Sequence, residues 1–180
     1  MSVERTKEGY PNLMKALEDF KRTKMAVGYF PAQKHLRRHP KTGDVLGEVS
    51  TAYVASIHEY GATHTNRRGG VMIIPARPFL RPTAEAQKTK WAAMMAQVMK
   101  NAAEGKVDFA KGLEILGFTV TADIKIAIDD VTEPALAEYT LSQRRLRGNR
   151  GTKPLTDTWT MRNTITHQVQ TDGEAVEVGK

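Results

Sequence analysis

His58 and Glu59, with His64 six residues beyond the first histidine, come nearest in this chain to the donors of a metal-dependent hydrolytic site. Zinc proteases of that kind set two histidines four apart on one helix face, with a glutamate beside them as general base. Here the spacing is six, and Gly61 stands between the histidines where a helix would end. His35 and His39 are four apart, but Pro40 follows directly in a turn-rich stretch. Neither pair is expected to hold a metal. The chain has no cysteine, which excludes thiolate nucleophiles, thiolate metal sites and disulfides. No G-x-S-x-G elbow occurs, and Gly69-Gly70 lacks the Lys-Ser or Lys-Thr that follows a phosphate cradle. Asp19, Glu59 and Asp129-Asp130 are scattered, so they nominate no acid/base couple. The expectation is a protein with no catalytic residues, no metal site and no cofactor.

Positive charge is the other chemical resource. The net charge of the 180 residues is +7, and the pI is about 9.7. Such a balance bears on association with acidic surfaces or nucleic acid, and not on fold. The cations gather in three stretches: Lys34, Arg37, Arg38 and Lys41; Arg67 and Arg68; and Arg144, Arg145, Arg147 and Arg150, followed by Lys153. All three are read as loops that contact partner proteins or DNA phosphates. Few aromatic residues are interleaved with them, which argues against stacking on single-stranded bases. None has the pattern of a helix that reads the major groove. The beginning of the chain lacks the apolar run of a signal peptide, and no stretch suits a membrane span. A soluble protein of one domain, 1–180, is expected.

The elements that must position these residues follow from periodicity. Pro11 to about Arg22 reads as a helix on Leu13, Met14, Leu17 and Phe20. Lys24 to Phe30 reads as a strand. The basic segment Gln33 to Gly47 reads as a projecting loop or hairpin inserted at 33–47, with its tip at Lys41 to Asp44. Ser50 is placed to cap a short helix ending at Tyr60, with Tyr53, Val54, Ile57 and Tyr60 along one side and Gly61 closing it. Val71 to Ile74 suits a buried strand. Two long helices follow, Arg81 to Ala102 and Lys106 to about Ile128. The second carries Phe109, Leu113, Leu116, Val120 and Ile124 at steps of four, three, four and four. Its end is ambiguous, because Ile124, Ile126 and Ile128 also alternate like a strand. A third helix is expected from Glu133 to about Arg147. Thr164 to Gln170 and Ala175 to Val178 flank Asp172-Gly173, a strong hairpin signal. The fold class is α+β: a small, mainly antiparallel sheet packed against two long helices, with projecting basic loops.

Pro75, Pro78 and Pro82 stiffen the segment before the first long helix, so that Phe79 and Leu80 can pack beneath its start. Glu59 and Arg77 are expected to form an ion pair that clamps this corner. Further on, Lys153-Pro154-Leu155 ends the basic loop. Thr156, Asp157 and Thr158 offer caps for a one-turn helix, and Leu155 and Trp159 are expected in the core.

Four segments, in order, resemble the head–tail joining and tail-completion proteins of tailed phages, a group that includes the Mu-type virion morphogenesis and lambdoid tail-component proteins. They are Val27-Gly28, Ile57-His58-Glu59-Tyr60-Gly61, Ile74 to Phe79 (IPARPF) and Pro154 to Ile165 (PLTDTWTMRNTI). Relatives usually carry glycine where this chain has Trp159. The resemblance marks Glu59, Gly61, Pro75, Arg77, Pro78, Phe79, Pro154, Leu155, Thr158 and Arg162 as structural motif positions. It implies a non-enzymatic virion protein of the neck or head-proximal tail, made in the host bacterial cytoplasm. Such a protein would form a ring of six copies against neck, connector or tail-tube proteins. A basic protein touching genomic DNA in the neck channel is the competing expectation.

Overall fold

The computed structural model describes residues 9–38, 42, 44–65 and 69–175. The chain is α+β, with long helices packed against small antiparallel sheets. It divides into two compact units: Met1–Val27, Ala86–Ala122 and Thr166–Lys180 in the first, Gly28–Glu85 and Asp123–Ile165 in the second.

In the first unit, α1 (Gly9–Arg22) runs directly into β1 (Thr23–Gly28). β6 (Thr166–Thr171) and β7 (Glu174–Ala175) complete a three-stranded sheet of order β1-β6-β7. The turn between the last two strands is Asp172-Gly173, with φ of 54° and 88°. Positive φ at both positions matches the right-handed twist of the flanking strands. Asp172 also ties the turn to the end of α1, accepting from Arg22 Nε at 2.9 Å while its own N–H donates to the Arg22 carbonyl. Above the sheet lie most of α3 (Leu80–Ala103) and the first half of α4 (Phe109–Asp130). Phe109, Leu113, Leu116 and Val120 are buried, as the helical spacing predicts. Gly112 and Gly117 allow close packing: a Cβ there would meet Val98 and the His167 ring at 2.5 and 2.4 Å.

The second unit holds two separate hairpins. β2 (Lys34–Arg38) pairs with β3 (Val45–Ser50), and β4 (Ala62–Thr65) pairs with β5 (Val71–Ile74), both antiparallel. The segment 33–47 is therefore largely β-hairpin; Lys41 and Gly43 of its expected tip lie outside the described residues. Between the hairpins is α2 (Thr51–Tyr60), and later come α5 (Glu138–Leu146) and α6 (Thr160–Thr164). The second half of α4 is helical to Asp130, with Ile124 and Ile128 buried and Ile126 exposed. That resolves the ambiguous isoleucines as a helix.

Four local expectations need correction. The buried face of α2 is Thr51, Ala55 and Glu59, whereas Tyr53 and Tyr60 are exposed. β5 is not buried, because among the described residues it pairs only with β4. The third helix begins at Glu138 and not Glu133, because the carbonyls of Pro134 and Ala135 accept from the Arg77 guanidinium instead of opening a helix. Trp159 sits in left-handed backbone (φ 57°) just before α6, half exposed, 5.9 Å from the Arg162 guanidinium.

Candidate functional site

The corner between α2 and α3 is built around one carboxylate. The first N–H groups of any helix lack partners within it, and an anion there also meets the positive end of the helix dipole. Glu59, at the end of α2 and only 2% exposed, supplies that anion to α3. Its oxygens accept from the N–H of Phe79 at 2.8 Å, Leu80 at 3.0 Å and Arg81 at 3.0 Å. Arg81 Nε adds a fourth bond at 3.0 Å. Burial pushes this carboxyl up, but the three backbone donors and Arg81 outweigh it and hold it below the ordinary carboxylate range.

Arg81 also donates to the Glu59 carbonyl at 3.0 Å, and its guanidinium lies 4.5 Å from the Tyr60 ring centroid. The end of α2 and the start of α3 are thus held by one side chain from each. Gly61 makes the reversal possible. Its φ is 76°, and a Cβ would stand 2.9 Å from the Ile74 carbonyl oxygen. Phe79 is buried beneath the corner, Pro75 and Pro78 lie on its surface, and the Arg77 N–H donates to the His58 carbonyl at 2.6 Å.

The expected Glu59–Arg77 ion pair does not form. A carboxylate that caps α3 lies opposite the first turn of that helix, within reach of Arg81 in the turn. Arg77 precedes the turn and points elsewhere, with Nε and one terminal nitrogen on the Pro134 and Ala135 carbonyls at 2.6 and 2.9 Å. Sequence reasoning missed Arg81, although a cation in the first turn after Phe79-Leu80 was the signal.

Arg77 enters a second polar cluster. Together with Arg144, His35, His58, Asp157 and Thr158 it lines a cavity of about 230 Å³, whose other walls include Val54, Leu136, Leu155 and Met161. Arg144 is 4% exposed, with Nη1 donating to the Lys153 carbonyl at 2.8 Å and the Gly151 carbonyl at 3.2 Å. It is buried on α5 and does not project from the surface, so its expected place in a projecting loop is corrected. The fork is used to pin the loop after α5.

The other predicted cations are dispersed. Lys34 pairs with Glu48 at 2.6 Å, Arg145 with Glu138, and Arg147 with Asp157 at 2.9 Å. Arg37 and Arg38 belong to β2, and Arg150 is exposed. Lys41, Arg67, Arg68 and His39 lie outside the described residues. Pro154 and Leu155 are buried. Arg162 pairs with Asp129 at 2.8 Å. Thr158 bonds the Thr160 hydroxyl at 2.9 Å and accepts from the Thr160 N–H at 3.5 Å at the start of α6, whereas Asp157 is occupied by Arg147 and Asn149 in the loop.

No family model, curated protein or solved structure matches the chain. Among the described residues no group of three His, Asp or Glu side chains is placed to hold a metal. The buried His167 of the first unit is fully engaged, 2.8 Å from Glu114 and 3.3 Å from the Thr121 hydroxyl. What the geometry offers is a rigid corner and exposed apolar ribbons.

Proposed function

We propose that this chain is a structural assembly protein of a tailed-phage neck or head-proximal tail end. It closes into a ring with copies of itself and joins the tail to the capsid connector, and its place of action is the virion. The observation that supports this most is the β4–β5 ribbon. Val71, Met72 and Ile73 are 62%, 51% and 72% exposed, on alternating faces of a two-stranded hairpin. An isolated two-stranded hairpin is marginal in water, and apolar residues on both its faces mark a surface that another chain covers. The β2–β3 hairpin repeats the pattern with Leu36, Val45 and Leu46 exposed. Each ribbon offers strand edges to which a neighbouring copy can add. A head-to-tail contact of this type closes into a ring, and six copies is the number that the resemblance implies.

The competing role, contact with genomic DNA in the neck channel, has less behind it. Four of its expected contact cations are already committed: Arg144 is buried, and Lys34, Arg145 and Arg147 are ion-paired.

Sedimentation of the purified chain and imaging of particles made without it test the proposal. A multimer of several copies, and heads and tails that fail to join, are expected. A strict monomer with normal joining in its absence contradicts it. Tight binding to non-specific duplex at about 150 mM salt would favour the DNA role, since purely electrostatic binding weakens steeply there.

A further inference from the structure

The cavity of the second unit has the composition of a receptor for an organic anion. Two guanidiniums line it, Arg77 and Arg144, each 4% exposed. The one carboxylate on its wall, Asp157, lies 3.5 Å from Arg144 Nε and 2.9 Å from Arg147, so two arginines share it. Among the described residues no carboxylate lies within ion-pair distance of Arg77; its guanidinium bonds two backbone carbonyls, with Glu133 acting on it only from farther off. Three buried nitrogens of the lining also lack a hydrogen-bond partner among the described residues: Arg144 Nε, His35 Nδ1 and His58 Nδ1. Buried polar nitrogens are normally hydrogen-bonded, and a buried charge is strongly disfavoured unless paired. At about 230 Å³ the cavity is below the usual range for drug-sized ligands, so it suits a single small group. Val54, Leu136, Leu155 and Met161 supply the apolar part of its lining.

We propose that this cavity binds a carboxylate carried on a short aliphatic stem, with Arg77 and Arg144 taking the oxygens and the Val54–Leu155–Met161 wall taking the stem. The carboxylate can come from a free short-chain acid or from the end of another polypeptide, and the chemistry is shared. An apolar wall with few donors is poorly suited to phosphate, which has oxygens on every side. The groups facing His58 are Arg77, Arg144 and His35, and burial together with these charges lowers its titration to about 4. A bound carboxylate offsets the arginines and raises it.

Calorimetric titration of the whole chain with butyrate, butyramide, N-acetyl-leucine and inorganic phosphate, at matched ionic strength in chloride, tests this. Saturable binding of butyrate or N-acetyl-leucine, with none for butyramide and weaker binding for phosphate, is expected. The tighter of the two acids identifies the source, a free acid or a chain end. Thr140→Phe fills the cavity from α5 and leaves both arginines in place; Arg144→Lys keeps the charge but loses the fork. Each should weaken butyrate at least about tenfold. Histidine NMR should show His58 titrating higher with butyrate present. Phosphate binding tighter than butyrate, no binding beyond the chloride background, or full binding in both variants overturns the proposal.

Discussion

The corner at Glu59 and the ribbon at Val71–Ile74 are neighbours in sequence and opposites in chemistry. The corner buries a carboxylate and satisfies it with four donors. The ribbon exposes three consecutive apolar residues. An isolated chain gains from burying the apolar residues and solvating the charge. The inversion teaches that the corner serves the chain's own geometry; on the proposed reading, the ribbon is the surface that a neighbouring copy covers. Losing a corner residue should therefore cost stability, and losing a ribbon residue should cost assembly.

The largest expected effect is Glu59→Ala, which removes the cap of α3 and strands the donors it satisfied. A loss of about 3–5 kcal/mol is expected in denaturant unfolding; a change below 1 kcal/mol, roughly the value of a surface ion pair, would reduce the corner to that rank. Gly61→Ala comes next, at about 1–3 kcal/mol, since it forces a side chain into left-handed backbone against the Ile74 carbonyl. A double-mutant cycle refines the corner further. Glu59 and Arg81 should couple by about 1 kcal/mol, whereas Glu59 and Arg77 should be additive within about 0.5 kcal/mol.

Acid sensitivity should belong to the corner and the adjoining cavity. Glu59 has a lowered folded pKa, so its contribution is present above the ordinary 4.5 and is lost as pH falls through the folded value. His58 titrates at about 4 folded against 6.5 ordinarily, held there by burial, Arg77, Arg144 and His35. Between those values the unfolded chain binds the extra proton, so stability falls as pH drops from 6.5 towards 4. His58→Gln should flatten that part of the stability curve; an unchanged slope would remove His58 as its source.

Much of this was legible in the residues themselves. The α4 stripe and the Asp172-Gly173 turn are local patterns, and each settles its element without help from distant chain. The corner was legible as a place but not as a pairing. Glu59, Gly61 and Phe79 do meet there, yet choosing Arg81 over Arg77 requires knowing where the first turn of α3 begins. Val71 to Ile74 misled for a different reason. An apolar run suggests a covered segment, but the pairing that would cover it is not written in the run itself, and here Val71, Met72 and Ile73 are exposed. Arg144 was hidden because a buried guanidinium that ties down a loop has the same sequence as an exposed basic patch.

Sedimentation velocity of the Ile73→Lys variant beside the wild type tests the central claim most directly. The wild type should sediment as a multimer. The variant should sediment as a monomer whose unfolding free energy lies within about 0.5 kcal/mol of the wild type, as for an exposed substitution. A wild type that stays monomeric, or a variant that assembles undiminished, would contradict the claim that this ribbon is completed by a neighbouring copy.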